Sequence, residues 1–187
     1  MHVELRCRCG QLRGEVDNAH AYGHARCYCR DCRAYARFLG ADDVLDAQGG
    51  TAIVAVPPDA IRFTTGEARL ACLSLSDRGL LRWYADCCKA PIANTARDPR
   101  IAYVGVIADA LEPQDRDAAF GPPRFVLNQA SAEGQVPGTP LATAIGGGRI
   151  FLRLLAARLR GLRNRAFFDA DGAPLRTPQI VDAPRGA

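Results

Sequence analysis

Residues 25–38 read Ala25-Arg26-Cys27-Tyr28-Cys29-Arg30-Asp31-Cys32-Arg33-Ala34-Tyr35-Ala36-Arg37-Phe38. Ala25 to Cys29 has the character of a strand that runs into a cysteine-rich loop. Arg30 to Phe38 reads as a short helix leaving that loop. The spacing from Cys29 to Cys32 lets a tight turn aim two sulfurs at one ion, and Cys27 adds a third where the strand end curls. Three thiolates without a fourth protein ligand leave an open coordination position, which suits a catalytic rather than a closed structural metal site. Zinc is the expected ion, and Cys27, Cys29 and Cys32 are the candidate catalytic as well as metal-binding residues.

Working outward, the chain is punctuated by short strand-like runs. Val3 to Cys7 alternates and turns at Cys9-Gly10 into a hairpin partner, Leu12 to Val16. Thr51 to Val56 is a β-branched run stopped by Pro57-Pro58. Ile61 to Thr65, Leu70 to Leu75, Leu80 to Ala85 and Ile101 to Ile107 follow, separated by turn residues. Many short strands with frequent turns predict a mainly β, β-rich α+β fold of packed sheets. Residues 1–110 read as a zinc-binding β domain. Residues 111–187 read as a C-terminal extension on the same domain. Within it Glu112 to Pro123 and Ser131 to Pro140 read as loops, and the tail from Asp171 as a segment that wraps or frays.

The extension also carries Gly146-Gly147-Gly148 followed by a basic stretch, Arg149 to Arg165. At helical spacing Phe151, Leu155, Leu159 and Leu162 share a face, with Arg149, Arg153, Arg160 and Arg163 opposite. The expectation is an amphipathic helix, broken near Gly161, whose apolar face packs on the β core and whose arginines are solvated. A helix of this kind also fits an anionic membrane surface.

Composition bounds the reading. Hydrophobic residues make up 48% of the 187, enough for a sizeable core, and the net charge of +4 is too mild to imply a nucleic-acid partner. No stretch reads as a membrane span. Met1 to Gly10 lacks the apolar run of a secretory signal, so the cytoplasm is the expected compartment. Almost all basic residues are arginine, with Lys89 the sole lysine, which points to a GC-rich bacterial genome.

The remaining cysteines form two further groups, Cys7-Arg8-Cys9-Gly10 and Cys87-Cys88-Lys89-Ala90-Pro91, with Cys72 apart in a strand-like run. Tight clustering in a reducing compartment favours metal over disulfides. Redox use of Cys29 and Cys32 or of Cys87 and Cys88 is a rival reading, but no βαβ pattern surrounds either pair. Cys72 reads as a small core residue. His20 and His24 flank the middle group and could supply a fourth ligand, though loop histidines are the commoner case. Of Trp83 and Tyr84, one is expected to face the core and the other a pocket. Asp31 reads as a loop cap or as a base near bound water.

This order of groups, C-x-C-G, then C-x-C-x-x-C, then a strand leading to a cysteine and a small-x-Pro turn, resembles the glutathione-dependent formaldehyde-activating enzyme family, which includes the centromere protein V type. The resemblance spans about Val3 to Ile107. It implies the packed-sheet fold also seen in translationally controlled tumour protein and type B methionine sulfoxide reductase. It implies one zinc on Cys27, Cys29 and Cys32, where a thiol such as glutathione would be handled. It implies a second, structural zinc held by the first and third groups, with Cys7 and Cys9 as half of the site. The third group departs from the pattern. Ala85 stands where the family places a cysteine, and Cys87 adjoins Cys88 instead. Neighbouring side chains on a strand point to opposite faces, so either a bulge turns Cys87 inward or the site keeps three sulfurs or stays empty. The activity implied is carbon–sulfur lyase chemistry joining formaldehyde and glutathione, with Arg26, Arg30 or Arg33 attracting a carboxylate. The alternative is a non-catalytic, zinc-stabilised module that binds a protein, a membrane surface or nucleic acid.

Overall fold

The structure, a computed structural model, describes residues 1–181. Two strands, β1 (His2–Arg6) and β2 (Arg13–Asp17), form the expected hairpin, with Val3 opposite Val16. β3 (Gly23–Cys27) leads into α1 (Arg30–Phe38), and β4 (Thr51–Val56), β5 (Ile61–Thr65), β6 (Leu70–Ser74) and β7 (Leu81–Ala85) follow. β8 (Ala90–Thr95), β9 (Val104–Ile107), α2 (Pro113–Phe120), β10 (Phe125–Leu127), α3 (Pro140–Leu159) and β11 (Gln179–Ile180) complete the order. β1, β2 and β5 make a three-stranded sheet, and the others an eight-stranded one ordered β10-β3-β4-β9-β8-β7-β6-β11. The fold is thus β-rich, with two sheets and a C-terminal helix, as the sequence predicts.

The pattern of side chains explains the two layers. Val3, Leu5 and Val16 from the small sheet, with Leu12 from its hairpin turn, share one core cluster with Val54, Val104, Val106, Trp83 and Ile92 from the large one. On the outer face of the large sheet, α1 lays Ala34, Tyr35, Ala36 and Leu39 against Ile53, Leu73 and Ile107. β4, β7 and β8 are buried on both faces and read as nearly continuous apolar runs rather than alternating ones. Trp83 and Tyr84 therefore both lie in the core, one in each layer, and neither faces open solvent.

β8 escaped the sequence reading because Pro91 looked like a turn residue. The pairing of β7 with β8 slips between Trp83 and Tyr84, and Pro91 sits opposite Tyr84 at that irregularity. A proline is tolerated inside a sheet at such a place, where the ladder is already interrupted. α2 escaped because its face is polar and nothing in it is buried; Pro113 in its first turn starts it. β10 and β11 are edge strands that pair in parallel, with β3 and β6.

The extension differs from expectation in three respects. It completes the core rather than lying upon it. β10 and β11 join the main sheet, and Phe167 packs on Trp83 at a centroid distance of 4.9 Å and edge-on to Phe63 at 5.6 Å. Second, the helix begins nine residues earlier than predicted, at Pro140, and runs through the three glycines to Leu159. At that length it meets the size and composition of a membrane span, although Arg149 and Arg153 lie within it. Third, its apolar face does not pack on the core. Gly146 and Ala157 are its buried residues, whereas Phe151, Leu155 and Leu159 are exposed.

A close approach decides why the helix seats this way. A Cβ on Gly146 would come within 2.6 Å of the Phe125 ring. Thr139 and Thr143 stitch the same junction, accepting from the Val126 N–H and donating to the Val126 carbonyl, each at 3.0 Å. Gly146→Leu is expected to force α3 off β10 and cost about 1–3 kcal/mol. The measurement is the denaturant midpoint, and an unchanged midpoint would show that α3 is not seated on Phe125. Nothing in the structure explains the adjacent Gly147 and Gly148.

Candidate metal centres

The cysteines converge into two groups. Cys7, Cys9, Cys87 and Cys88 bring their sulfurs within 4.8 Å of one another, and so do Cys27, Cys29 and Cys32. Either set could hold a metal ion. Cys72 is buried in the core apart from both, with its thiol pushed up to about 12 by burial. All eight cysteines are free thiols.

The four-thiol group is assembled from both sheets. The tight turn after β1 presents Cys7 and Cys9, with the Gly10 N–H donating to the Cys7 carbonyl. Cys87 and Cys88 sit in the turn between β7 and β8, not on a strand, and Lys89 closes that turn with a φ of 55°. The alternation that separates neighbouring strand side chains therefore does not apply, and both sulfurs face the same place. Sγ separations are 3.5 Å for Cys7–Cys9, 3.8 Å for Cys7–Cys87, 3.3 Å for Cys9–Cys87 and 4.0 Å for Cys87–Cys88. Four sulfurs about 2.3 Å from a tetrahedral ion would stand about 3.8 Å apart, so the observed spacing fits that geometry.

The electrostatics of this group point the same way. Burial pushes the Cys7 thiol up, but the Leu12 N–H and the neighbouring thiols outweigh it, and its pKa falls to about 7. Burial, with Cys9 and Cys7 beside it, drives Cys87 up to about 12. One sulfur ionises at the expense of its neighbour, because thiolates this close repel. A cation at the centre removes that conflict.

The three-thiol group sits where β3 meets α1. Cys29 is the N-cap of α1 and accepts from the Cys32 N–H at 3.3 Å. The positive end of the helix thus points at the sulfurs. Asn128 donates its amide to the Cys27 sulfur at 3.4 Å, and Arg82 donates to the Cys32 sulfur at 3.4 Å. Hydrogen bonds from Cys27 and Cys32 hold the Cys29 thiol far below its ordinary range, while those same contacts raise Cys27 and Cys32.

Arg82 is the residue that sequence reading missed. It is 2% exposed, on a strand whose every residue is buried. One of its nitrogens, Nη1, donates both to the Cys32 sulfur and to the Asn94 side-chain Oδ1, the latter at 2.9 Å, and its charge stacks over Tyr35. Among the described residues no carboxylate pairs with it. Burial opposes its charge, yet the Cys32 and Cys29 sulfurs keep it charged. Three thiolates around a divalent ion carry one net negative charge, and the buried guanidinium matches it. The signal in the sequence was Arg82 itself, a lone charge in the apolar run Leu80 to Ala85.

Of the arginines expected to meet a substrate carboxylate, two are already engaged. Arg26 pairs with Asp46 at 2.9 Å, and the buried Arg33 with Glu133 at 3.1 Å. Arg30 is exposed at the start of α1. Neither His20 nor His24 joins a cluster among the described residues. His24 lies three residues before Cys27 on β3, so its side chain leaves the opposite face. It lines a cleft of about 460 Å³ with Arg26, Asp109 and Arg116, and no cysteine lines that cleft. Asp31, in the first turn of α1, has no place in either cluster.

His24 carries a pH prediction. Its Nδ1 lies 2.7 Å from the Gly121 carbonyl, and its Nε2 is buried with no partner among the described residues. Burial lowers its pKa below the ordinary value of about 6.5. Above about pH 6.5 it is neutral in both folded and unfolded chains. Below that, the unfolded chain takes up a proton that the folded one resists, so stability is lost as pH falls toward the folded pKa. Replacing His24 by glutamine is expected to shrink the acid-induced fall in denaturant midpoint relative to the wild type. Equal slopes would show that His24 is not held neutral.

The family model described as a family of unknown function (DUF6151) matches residues 1–157. No curated protein matches the chain. Among solved structures it is similar to a Rhodobacter sphaeroides protein known from its crystal structure. The identity is 22%, 60% of this chain and 93% of the other are covered, and the TM-score is 0.41. A likeness of that size carries no argument about function. The family match, by contrast, runs through both cysteine clusters, both sheets and most of α3, and the chain belongs to this family of unknown function, DUF6151.

Proposed function

We propose that this protein binds two zinc ions, a structural one on Cys7, Cys9, Cys87 and Cys88 and a reactive one on Cys27, Cys29 and Cys32. We propose further that the second site handles a small thiol such as glutathione, in a carbon–sulfur reaction like the joining of formaldehyde to that thiol. The observation that carries the reading is the contrast between the two donor sets. One offers four sulfurs at tetrahedral spacing. The other offers three, backed by a buried cation and two further N–H donors.

Bound there, zinc would supply an open position that favours a substrate thiolate over its thiol. The protein's own part is to hold charge and shape. Arg82 balances the negative sulfurs, Asn128 and the Cys32 N–H fix their orientation, and the N-terminus of α1 adds positive potential. Cys29 is the least buried of the three sulfurs and marks the side from which a ligand enters. Arg30, exposed on the next residue, is placed to receive a carboxylate of the incoming thiol.

The test is calorimetric binding of glutathione to zinc-loaded protein, alongside the rate of formaldehyde–glutathione adduct formation and breakdown. Binding that disappears with Cys29→Ser, together with a rate above the uncatalysed one, supports the reading. Zinc-loaded protein that neither binds the thiol nor changes the rate would leave only the metal scaffold.

A further inference from the structure

The outer side of α3 is a feature that the metal centres leave unexplained. At about 100° per residue, Gly146 and Ala157 fall on the side facing the fold. Leu141, Ile145, Phe151, Leu152, Leu155 and Leu159 fall on the far side, and they are 44–80% exposed. Arg149, Arg153 and Arg160 line one edge of that stripe, and Arg158 stands at the other. From Gly134 to Phe168 the sequence has six arginines and no acidic residue. An amphipathic helix normally turns its apolar stripe inward. Here the glycine contact with Phe125 and the two threonine bonds to Val126 hold it the other way round.

The C-terminal end of α3 extends the basic character. Arg160, Arg163 and Arg165 line a cleft of about 530 Å³ with Pro58, Asp59 and Ile61. Arg158 and Arg163 line a neighbouring hollow of about 220 Å³ with Arg100. Arginines make up three of the nine residues that line the first and three of the five that line the second.

We propose that α3 lies flat on an anionic phospholipid bilayer, its apolar stripe in the acyl boundary and its arginines on the headgroup phosphates. Charge complementarity selects this occupant. A second copy docked stripe to stripe would bring two arginine edges together. Nucleic acid would match the arginines but leave the apolar centre of the face without a partner. The helix does not cross the bilayer, since Arg149 and Arg153 sit near its middle and Gly146 and Ala157 are buried against the fold. Lying in the interface satisfies both faces at once: guanidinium on phosphate, leucine and phenylalanine in hydrocarbon. This is independent of the metal chemistry. It makes the protein a peripheral membrane protein whatever the cysteines do.

The experiment is flotation of the full-length, metal-loaded protein with vesicles of phosphatidylcholine and phosphatidylserine in equal parts, against phosphatidylcholine alone. The wild type is expected to float with the anionic vesicles only, and to be released by high salt. Leu152→Glu with Leu155→Glu is expected to abolish flotation. Replacing Arg149, Arg153 and Arg160 by glutamine is expected to weaken it by roughly a hundredfold, each arginine near the surface being worth about fivefold. All five side chains are exposed, so metal content and circular dichroism should match the wild type. Leu159→Glu, at the most exposed position, repeats the test should the double variant misfold. Absence of flotation, or equal flotation on neutral vesicles, would overturn the proposal. So would a dimer in light scattering that Leu152→Glu with Leu155→Glu converts to monomer, which would make the stripe a self-interface. Salt-sensitive binding to RNA without vesicle binding would overturn it as well.

Discussion

Replacing Cys7 by serine is expected to destabilise the whole protein severely, whereas replacing Cys29 by serine is expected to remove one metal ion and leave the fold standing. The difference lies in what each cluster ties together. Cys7 and Cys87 are 80 residues apart and come from the two different sheets. A cross-link that closes a loop of this length is worth about 4–5 kcal/mol in the chain-entropy account. Set against a total stability of about 5–15 kcal/mol, its loss is severe. Cys27, Cys29 and Cys32 lie at one strand end and the helix after it, which β3 and α1 already hold, so an ion there constrains little more of the chain. Thermal melts with metal counted per chain check this. Cys7→Ser should lower Tm by about 10 °C or more. Cys29→Ser should take the metal from about two per chain to about one with Tm little changed. Equal losses of stability in the two variants would remove the four-thiol group from its role as a clamp between sheets.

Arg82→Met is expected to weaken metal binding at the three-thiol cluster by about 10- to 100-fold, the usual effect of removing a partner that sits behind the ligands. The same change should also destabilise the metal-free protein, by about 1–3 kcal/mol, because it leaves the buried Asn94 side-chain oxygen without its donor and the Cys29 sulfur without its cation. The readout specific to charge matching is therefore the metal affinity of the folded protein. A merely structural arginine would lower stability and leave that affinity unchanged. Arg82→Lys should recover only part of the affinity, because its ammonium ends one bond short of the guanidinium nitrogen that donates to both Cys32 and Asn94. Competition with a chromophoric chelator gives the affinity, and chemical denaturation of chelated protein gives the stability. Unchanged metal affinity in Arg82→Met would sink the charge-matching account.

The sequence by itself determined the local chemistry. Short spacings along one strand, turn or helix start place sulfurs near one another whatever the rest of the chain does, and this is why Cys27, Cys29 and Cys32 could be grouped on sight. The same holds for the β1–β2 hairpin, whose alternating apolar residues and tight turn fix its register locally. Whether Cys87 joins Cys88 was a tertiary matter. It depended on the β7–β8 connection being a turn that carries both residues and on Lys89 taking a positive φ, and adjacent cysteines look alike on a strand and in a turn.

Tertiary structure also decided what stands behind the sulfurs. Arg82 and Asn128 reach the cluster from a central strand and from the segment after β10, more than forty residues away in sequence, and no spacing rule records such an encounter. The direction of α3 was decided in the same way. Periodicity gives a helix an apolar stripe, but which side faces the fold is set by where it is anchored. Here the anchor is a glycine against the Phe125 ring and two threonines on Val126, and these contacts turn the stripe outward to solvent.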